Sequence, residues 1–324
     1  MPSPSSIFNF KRSNPLAGLL LFALAVLVIE TALAFLPQNT LITALGSIHV
    51  PEKSADWQVM GDSVAEGGIR ADQLAASISP ETRVANVAVS ASGPEFPYFL
   101  LQRQLAAGVA PRAILYAPSP HTFGTRRVAL LVGAFATWRE IGEIAASGIE
   151  PFEVLYGIMC KLSHSLRHRE QLAEVLKGRS TAAEAERAVA VGKNPTAQGK
   201  ETAFPLSRVH PMYRKSFTTN PFNLHFSHKF LAEARAHSIP VYWVSMPVLE
   251  VIKETRAPFH FEDDYQRFLK TTEEHYDVTL IIPHSAVFPP ANFKDYAHLN
   301  AQGAALFTEL LGQQLKQTLP ARAR

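Results

Sequence analysis

Short runs rich in β-branched and aromatic residues alternate with helix-period stretches along most of this chain, and that alternation limits its fold more than any other feature. Residues 57–60, 83–89 (RVANVAV), 113–117 (AILYA), 240–246 (PVYWVSM) and 278–282 (VTLII) read as strands. They are short and apolar enough to be covered on both faces. Residues 69–78, 96–107 and 301–318 read as helices between or after them. Strands alternating with helices predict a parallel sheet with a helical layer on each side, joined by right-handed crossovers.

The alternation breaks between about 121 and 225. Residues 128–138 (VALLVGAFATW) are too few to span a bilayer and predict a buried helix. Residues 150–176 are helical in pattern, and 180–205 are polar and read as a loop or partly disordered lid. From 161 to 216 there are 11 basic and 5 acidic residues, an excess of six against three for the chain. That reads as a solvated helical insertion, or as a basic surface for an anionic glycan or lipid headgroups. A net charge of +3 over 324 residues is too mild to predict a nucleic-acid partner. The single cysteine, Cys160, leaves no internal disulfide and no CxxC-type metal or redox pattern.

The N-terminus carries 21 residues, 16–36 (LAGLLLFALAVLVIETALAFL), with one charge, Glu30. As a helix this run would be about 31 Å long, near the thickness of a bilayer's hydrocarbon core. Lys11 and Arg12 precede it and the next Lys or Arg is Lys53, so the expected orientation is cytoplasmic for residues 1–15 and exported for the rest. Glu30 would lie near the outer interface. The other reading is a cleaved signal peptide, with 16–29 as the apolar region and 32–34 (ALA) as the cleavage site. Either way the expected organisation is a linker at 37–55, one α/β domain at 56–318 with a helical insertion at about 121–225, and a tail at 319–324.

Two segments carry candidate chemistry. Gly61-Asp62-Ser63 follows the first strand, and Asp295 stands three residues before His298, just ahead of the last helix. An aspartate can orient and charge-stabilise an imidazole, which can then take a proton from a serine hydroxyl. Both segments follow strands, and the ends of parallel strands share one edge, where sites form. The pairs His164/His168 and His225/His228 have helical spacing but no third ligand and no HExxH, so both read as surface pairs. Asp263 and Asp264 read as a solvated helix start, and Tyr242 and Trp243 as core.

GDS after a strand, the Asn-led segment 86–90 (NVAVS) and the terminal DxxHLNxxG at 295–303 together resemble the SGNH, or GDSL, hydrolase superfamily. The resemblance covers about 55–120 and 237–315. It implies a flavodoxin-like three-layer α/β/α fold, ester chemistry at a serine, and no metal or other cofactor. By position, Ser63 matches the nucleophile, His298 the general base and Asp295 its orienting acid; the Ser63 backbone N–H would be one oxyanion donor. This sequence has Ala91 where the family has a glycine that donates its backbone N–H, and alanine keeps that donor. It has no asparagine at 117–121 (APSPH), where Ser119 or His121 would have to substitute. With the N-terminal apolar run and the insertion, the architecture resembles a membrane-anchored branch typified by the alginate O-acetylation proteins and the teichoic-acid D-alanylation protein DltD. The expectation is an extracytoplasmic serine esterase or O-acyltransferase acting on acyl esters, such as those of an exported polysaccharide, beside a membrane-bound acyltransferase partner. The alternative from another class is a catalytically weak scaffold that binds glycan or such an acyltransferase.

Overall fold

The computed structural model describes residues 15–34, 55–79, 81–125, 128–167 and 204–319. The expected cytoplasmic N-terminus, nearly all of the linker, most of the 180–205 segment, His168 and most of the C-terminal tail lie outside these residues. The first element among the described residues is α1 (Pro15–Ala34). Then follow β1 (Trp57–Gly61), α2 (Ser63–Gly68), α3 (Ala71–Ile78), β2 (Val84–Asn86), α4 (Glu95–Ala106) and β3 (Ala113–Ala117). The insertion contributes α5 (Val128–Ala134), α6 (Trp138–Ala146), α7 (Pro151–Leu162) and α8 (His164–Arg167). The second half runs α9 (Pro221–Ala236), β4 (Val241–Val244), β5 (Val248–Leu249), α10 (Glu250–Arg256), α11 (Phe261–Tyr276), β6 (Val278–Ile282), β7 (Val287–Phe288) and α12 (Ala301–Thr318).

The protein is α/β. Five strands form one parallel sheet in the order β2-β1-β3-β4-β6, and β5 pairs with β7 in a separate parallel pair. Alternation along β3 shows why both faces must be covered. Ile114 and Tyr116 enter one apolar layer with Phe96, Phe226 and Trp243; Ala113, Leu115 and Ala117 enter the other with Leu74, Phe307 and Leu311. α4, α9 and α11 supply the first layer, and α3 and α12 the second.

Several expectations change. The strand read at 83–89 is only three residues long, lies at the sheet edge and is half-buried. Its pairing continues as single bonds, from Val87 N–H to Val59 O and from Val89 N–H to Gly61 O. β6 is followed by β7, a strand that the sequence reading does not contain. The helix read at 128–138 stops at Ala134. Thr137 then caps α6, accepting from the Glu140 N–H while Glu140 accepts from the Thr137 N–H. This reciprocal cap restarts the chain in a new direction, and Trp138 is left exposed. Trp243 is fully buried, whereas Tyr242 is half-buried and stacks on Trp57 at 5.1 Å. His225 and His228 sit against the Phe226 and Tyr276 rings.

α1 is 20 residues long, and its side chains are described from Leu19 to Leu33. Among the described residues no helix is long and apolar enough to cross a membrane.

Candidate active site

The strand order reverses between β1 and β3. β2 lies on one side of β1, and the chain returns past β1 to lay down β3. In an open parallel sheet such a switch point opens a crevice at the strand C-termini. Gly61 and Ala117, the last residues of the two strands, are register partners there. A Cβ on Gly61 would come within 2.5 Å of the Ala117 carbonyl oxygen, so only glycine lets the strands end this close.

Asp62 turns the chain from β1 into α2. One carboxylate oxygen caps the helix, accepting from Val64 N–H at 3.0 Å. The other accepts from Ser119 N–H at 3.0 Å and from the Thr122 hydroxyl. The aspartate of GDS is therefore a buried tie between the loops after β1 and β3. Burial raises its pKa, against the bonds from Thr122, Val64 and Ser119.

Ser63 is the first residue of α2. Its Oγ lies 2.9 Å from His298 Nε2, and His298 Nδ1 lies 2.9 Å from each carboxylate oxygen of Asp295. Asp295 Oδ1 also accepts from the backbone N–H of Ala297 at 2.9 Å and of His298 at 2.8 Å. Partial burial pushes the Asp295 pKa up, but the bonds from His298 and these two N–H groups outweigh it and bring it to about 2. The carboxylate stays ionised near neutrality and fixes the proton of His298 on Nδ1, leaving Nε2 as the acceptor facing Ser63.

The rest of DxxHLNxxG holds this loop in place. Leu299 is buried, and Phe293 pairs with it in an antiparallel bridge. Asn300 caps α12 through Gly303 N–H at 3.0 Å. A Cβ at Gly303 would lie 2.2 Å from the Asn292 carbonyl oxygen, so the helix can start against that loop only with glycine there.

The loop after β2 forms the opposite wall. Asn86 Nδ2 donates to the carbonyls of Ala65 at 3.0 Å and Ile69 at 2.9 Å, which ties α2 to the sheet edge. Glu66 of α2 accepts from the Ser90 N–H and hydroxyl, and Ser92 Oγ donates to Gly61 O at 3.0 Å. Between these anchors Ala91 sits at φ +61°. A left-handed backbone costs an alanine about 1–2 kcal/mol that glycine would not incur. Among the described residues, neither the Ala91 nor the Ser63 N–H has a protein acceptor. Both residues line a cleft of about 240 Å³ with His298, Ser119, His121 and Glu95.

Ser119 lines the cleft, but its N–H is committed to Asp62, so only its hydroxyl can serve a ligand. Arg256, 2% exposed, donates from Nη2 to His121 Nε2 at 2.6 Å. A guanidinium has no acceptor, so His121 carries its proton on Nδ1. Burial, then the Arg256 and Lys215 charges, lower the His121 pKa to about 3 and keep it neutral. Glu262, next to the helix start at Asp263 and Asp264, balances Arg256 at 3.2 Å.

No protein-family model and no curated protein matches this sequence.

The structure thus brings Ser63, His298, Asp295, Ala91, Ser119 and His121 to one strand edge. Sequence reasoning did not find Asp62 as a loop tie, Glu95 in the cleft wall, or Arg256 behind His121. The capping preference of Asp could have suggested the first. Nothing local distinguishes Glu95 or Arg256 from surface charges. Among the described residues no cluster of three or more His, Cys, Asp or Glu could hold a metal ion.

Proposed function

We propose that this protein is a serine esterase or O-acyltransferase of the SGNH type, with a flavodoxin-like fold. The continuous hydrogen-bonded chain Ser63–His298–Asp295 carries that reading. Ser63 Oγ attacks the acyl carbonyl carbon while its proton passes to His298 Nε2. The carbonyl oxygen becomes an oxyanion facing the Ser63 and Ala91 N–H groups. Collapse breaks the bond to the leaving alkoxide, which takes the proton from His298, and leaves an acyl-Ser63 ester. Water or an acceptor hydroxyl then attacks that ester, giving its proton to His298, and Ser63 departs with that proton. Asp295 stabilises the imidazolium in both halves.

The proposal extends to location. Residues 16–36 anchor the chain in a bilayer, with the catalytic domain on the exported side, where an acyl-bearing polysaccharide and a membrane-bound acyltransferase would meet it. The apolar run with Lys11 and Arg12 before it supports this.

A fluorophosphonate reagent tests the chemistry. It should label the wild type at Ser63 and leave Ser63→Ala unlabelled. A wild type that is folded but inert to the reagent would refute the reading and favour the glycan- or partner-binding scaffold.

A further inference from the structure

α7 has two apolar faces, and among the described residues only one is covered by protein. Val154, Gly157 and Cys160 are buried, and Gly133 of α5 packs close against Cys160. On the outer side Phe152, Leu155, Met159 and Leu162 are 73%, 53%, 44% and 68% exposed. At 100° per residue these four fall within about 80° of one another, forming one stripe along the helix. Lys161, the cation nearest its end, is turned inward and donates to the Ala136 carbonyl at 2.8 Å. A water-facing helix does not ordinarily present four large apolar side chains in a row.

The covering phase is indicated by what lies at the end of the stripe. The residues after Leu162 bind the carboxylate of Glu30, the one charge in the N-terminal apolar run. Ser163 Oγ donates at 2.8 Å, His164 N–H at 2.6 Å and Ser165 N–H at 3.3 Å. Leu33, one turn further along α1, is buried, while Leu19–Leu21 and Val26–Ile29 are exposed. The C-terminal end of the α7 stripe, Leu162, therefore immediately precedes the residues that hold Glu30 of α1. These bonds also satisfy the Glu30 carboxylate without water, which lets it sit at the boundary between headgroups and acyl chains.

We infer that the outer face of α7 lies in the exported lipid leaflet beside α1, as an interfacial helix that holds the domain against the bilayer. The inference rests on the anchoring proposed for residues 16–36. A short amphipathic helix lying in the plane buries its apolar face about 5–10 Å into the headgroup–acyl boundary. The anchor fixes only where the domain is tethered. The second attachment fixes its orientation, because two contacts a helix length apart remove the freedom to tumble about the first.

The test uses the full chain reconstituted into phosphatidylethanolamine–phosphatidylglycerol vesicles. Single cysteines replace Leu24 in α1, Leu155 and Met159 in the stripe, and Glu309 on the exposed side of α12. Each variant is labelled with a small fluorophore; Cys160 is buried, and the unsubstituted chain measures its background labelling. Quenching by nitroxide-bearing acyl chains is compared with quenching by aqueous iodide. The expected result is lipid quenching at 24, 155 and 159, and iodide quenching at 309. Lipid quenching at 24 with iodide quenching at 155 and 159 would overturn the inference and leave the anchor standing. Protection of 155 and 159 from both quenchers would also overturn it, by showing that protein covers the stripe. Iodide quenching at 24 would remove the anchor and the inference together. A Leu155→Asp/Met159→Asp variant gives a second readout: iodide quenching at a reporter on Phe152 should rise severalfold, with fluorophosphonate labelling of Ser63 unchanged as the check on folding.

Discussion

Ala91 lies in the loop after β2 and Glu95 opens the helix that follows it, and each is held in a state that costs energy. Ala91 adopts a left-handed backbone that costs energy for any residue with a Cβ. Ala91→Gly should stabilise the fold by about 1 kcal/mol while keeping the N–H in place. Denaturant midpoints measure this, and no gain would mean the loop holds alanine without strain. Glu95 is 2% exposed, and burial, partly offset by the backbone N–H groups of Glu95 and Gly93, raises its pKa to about 7. The native state therefore binds more protons than the unfolded chain between about pH 4.5 and 7. Its contribution to stability falls as pH rises through that window and stays low above it, by about 3 kcal/mol in all. Glu95→Gln should flatten stability between pH 5 and 8 and exceed the wild type at pH 8; parallel pH profiles would count against a buried acid. In the proposed mechanism Ser63, His298 and Asp295 act as a unit. Ser63→Ala and His298→Ala should each abolish ester turnover, the double variant should be little worse than either, and Asp295→Asn should cost less. Turnover of p-nitrophenyl acetate measures all four.

At the scale of elements, a largely buried ion pair joins the insertion to α4, a helix packed on the sheet. Glu140, in the first turn of α6, accepts from Arg103 of α4 at 2.8 and 2.6 Å, and Arg103 lies over the Phe135 ring at 3.8 Å. The same carboxylate completes the Thr137 cap. Glu140→Ala removes the pair and the cap together and leaves a mostly buried guanidinium without its carboxylate. The expected loss is about 3 kcal/mol, well above the fraction of a kcal/mol typical of an exposed pair. Thr137→Ala removes only the side-chain half of the cap and should cost about 1 kcal/mol. Equal losses in thermal or denaturant unfolding would mean that the cap, and not the ion pair, fixes the insertion.

Across the whole molecule, the cleft depends on residues that meet only because the sheet brings distant loops together. His121 follows β3, Arg256 ends α10, Tyr213 lies late in the insertion and Glu262 is in the first turn of α11. Arg256 sits 4.3 Å from the centre of the Phe261 ring, while the His121 ring packs edge-on to Tyr213 at 4.7 Å. Arg256→Met would delete the donor to His121 and a nearby positive charge. The His121 pKa should rise from about 3, and the fold should lose stability because the buried Arg256 contacts to Glu262 and the Phe261 ring are removed. An imidazole resonance followed by NMR reports the first effect. A His121 that titrates as before would mean that burial alone holds it neutral.

Parts of this protein are readable in sequence because their causes are local. Apolar runs such as AILYA and VTLII mark strands through period and length alone. Asp295 and His298 are three residues apart, so one turn of chain brings them together, and Asn300 and Gly303 start the following helix by capping and close approach. Edge and centre are not local properties, and RVANVAV reads as a buried strand although it ends as a half-buried edge. Nor does local sequence distinguish a buried Glu95 or Arg256 from a solvated charge, since burial depends on what another part of the chain places over it. The 2.9 Å contact between Ser63 and His298 spans the whole domain and exists because the parallel strands end on one side. The outward stripe of α7 and its junction with Glu30 are likewise tertiary: helical period shows that α7 is apolar, and only packing shows which of its apolar faces the protein leaves uncovered.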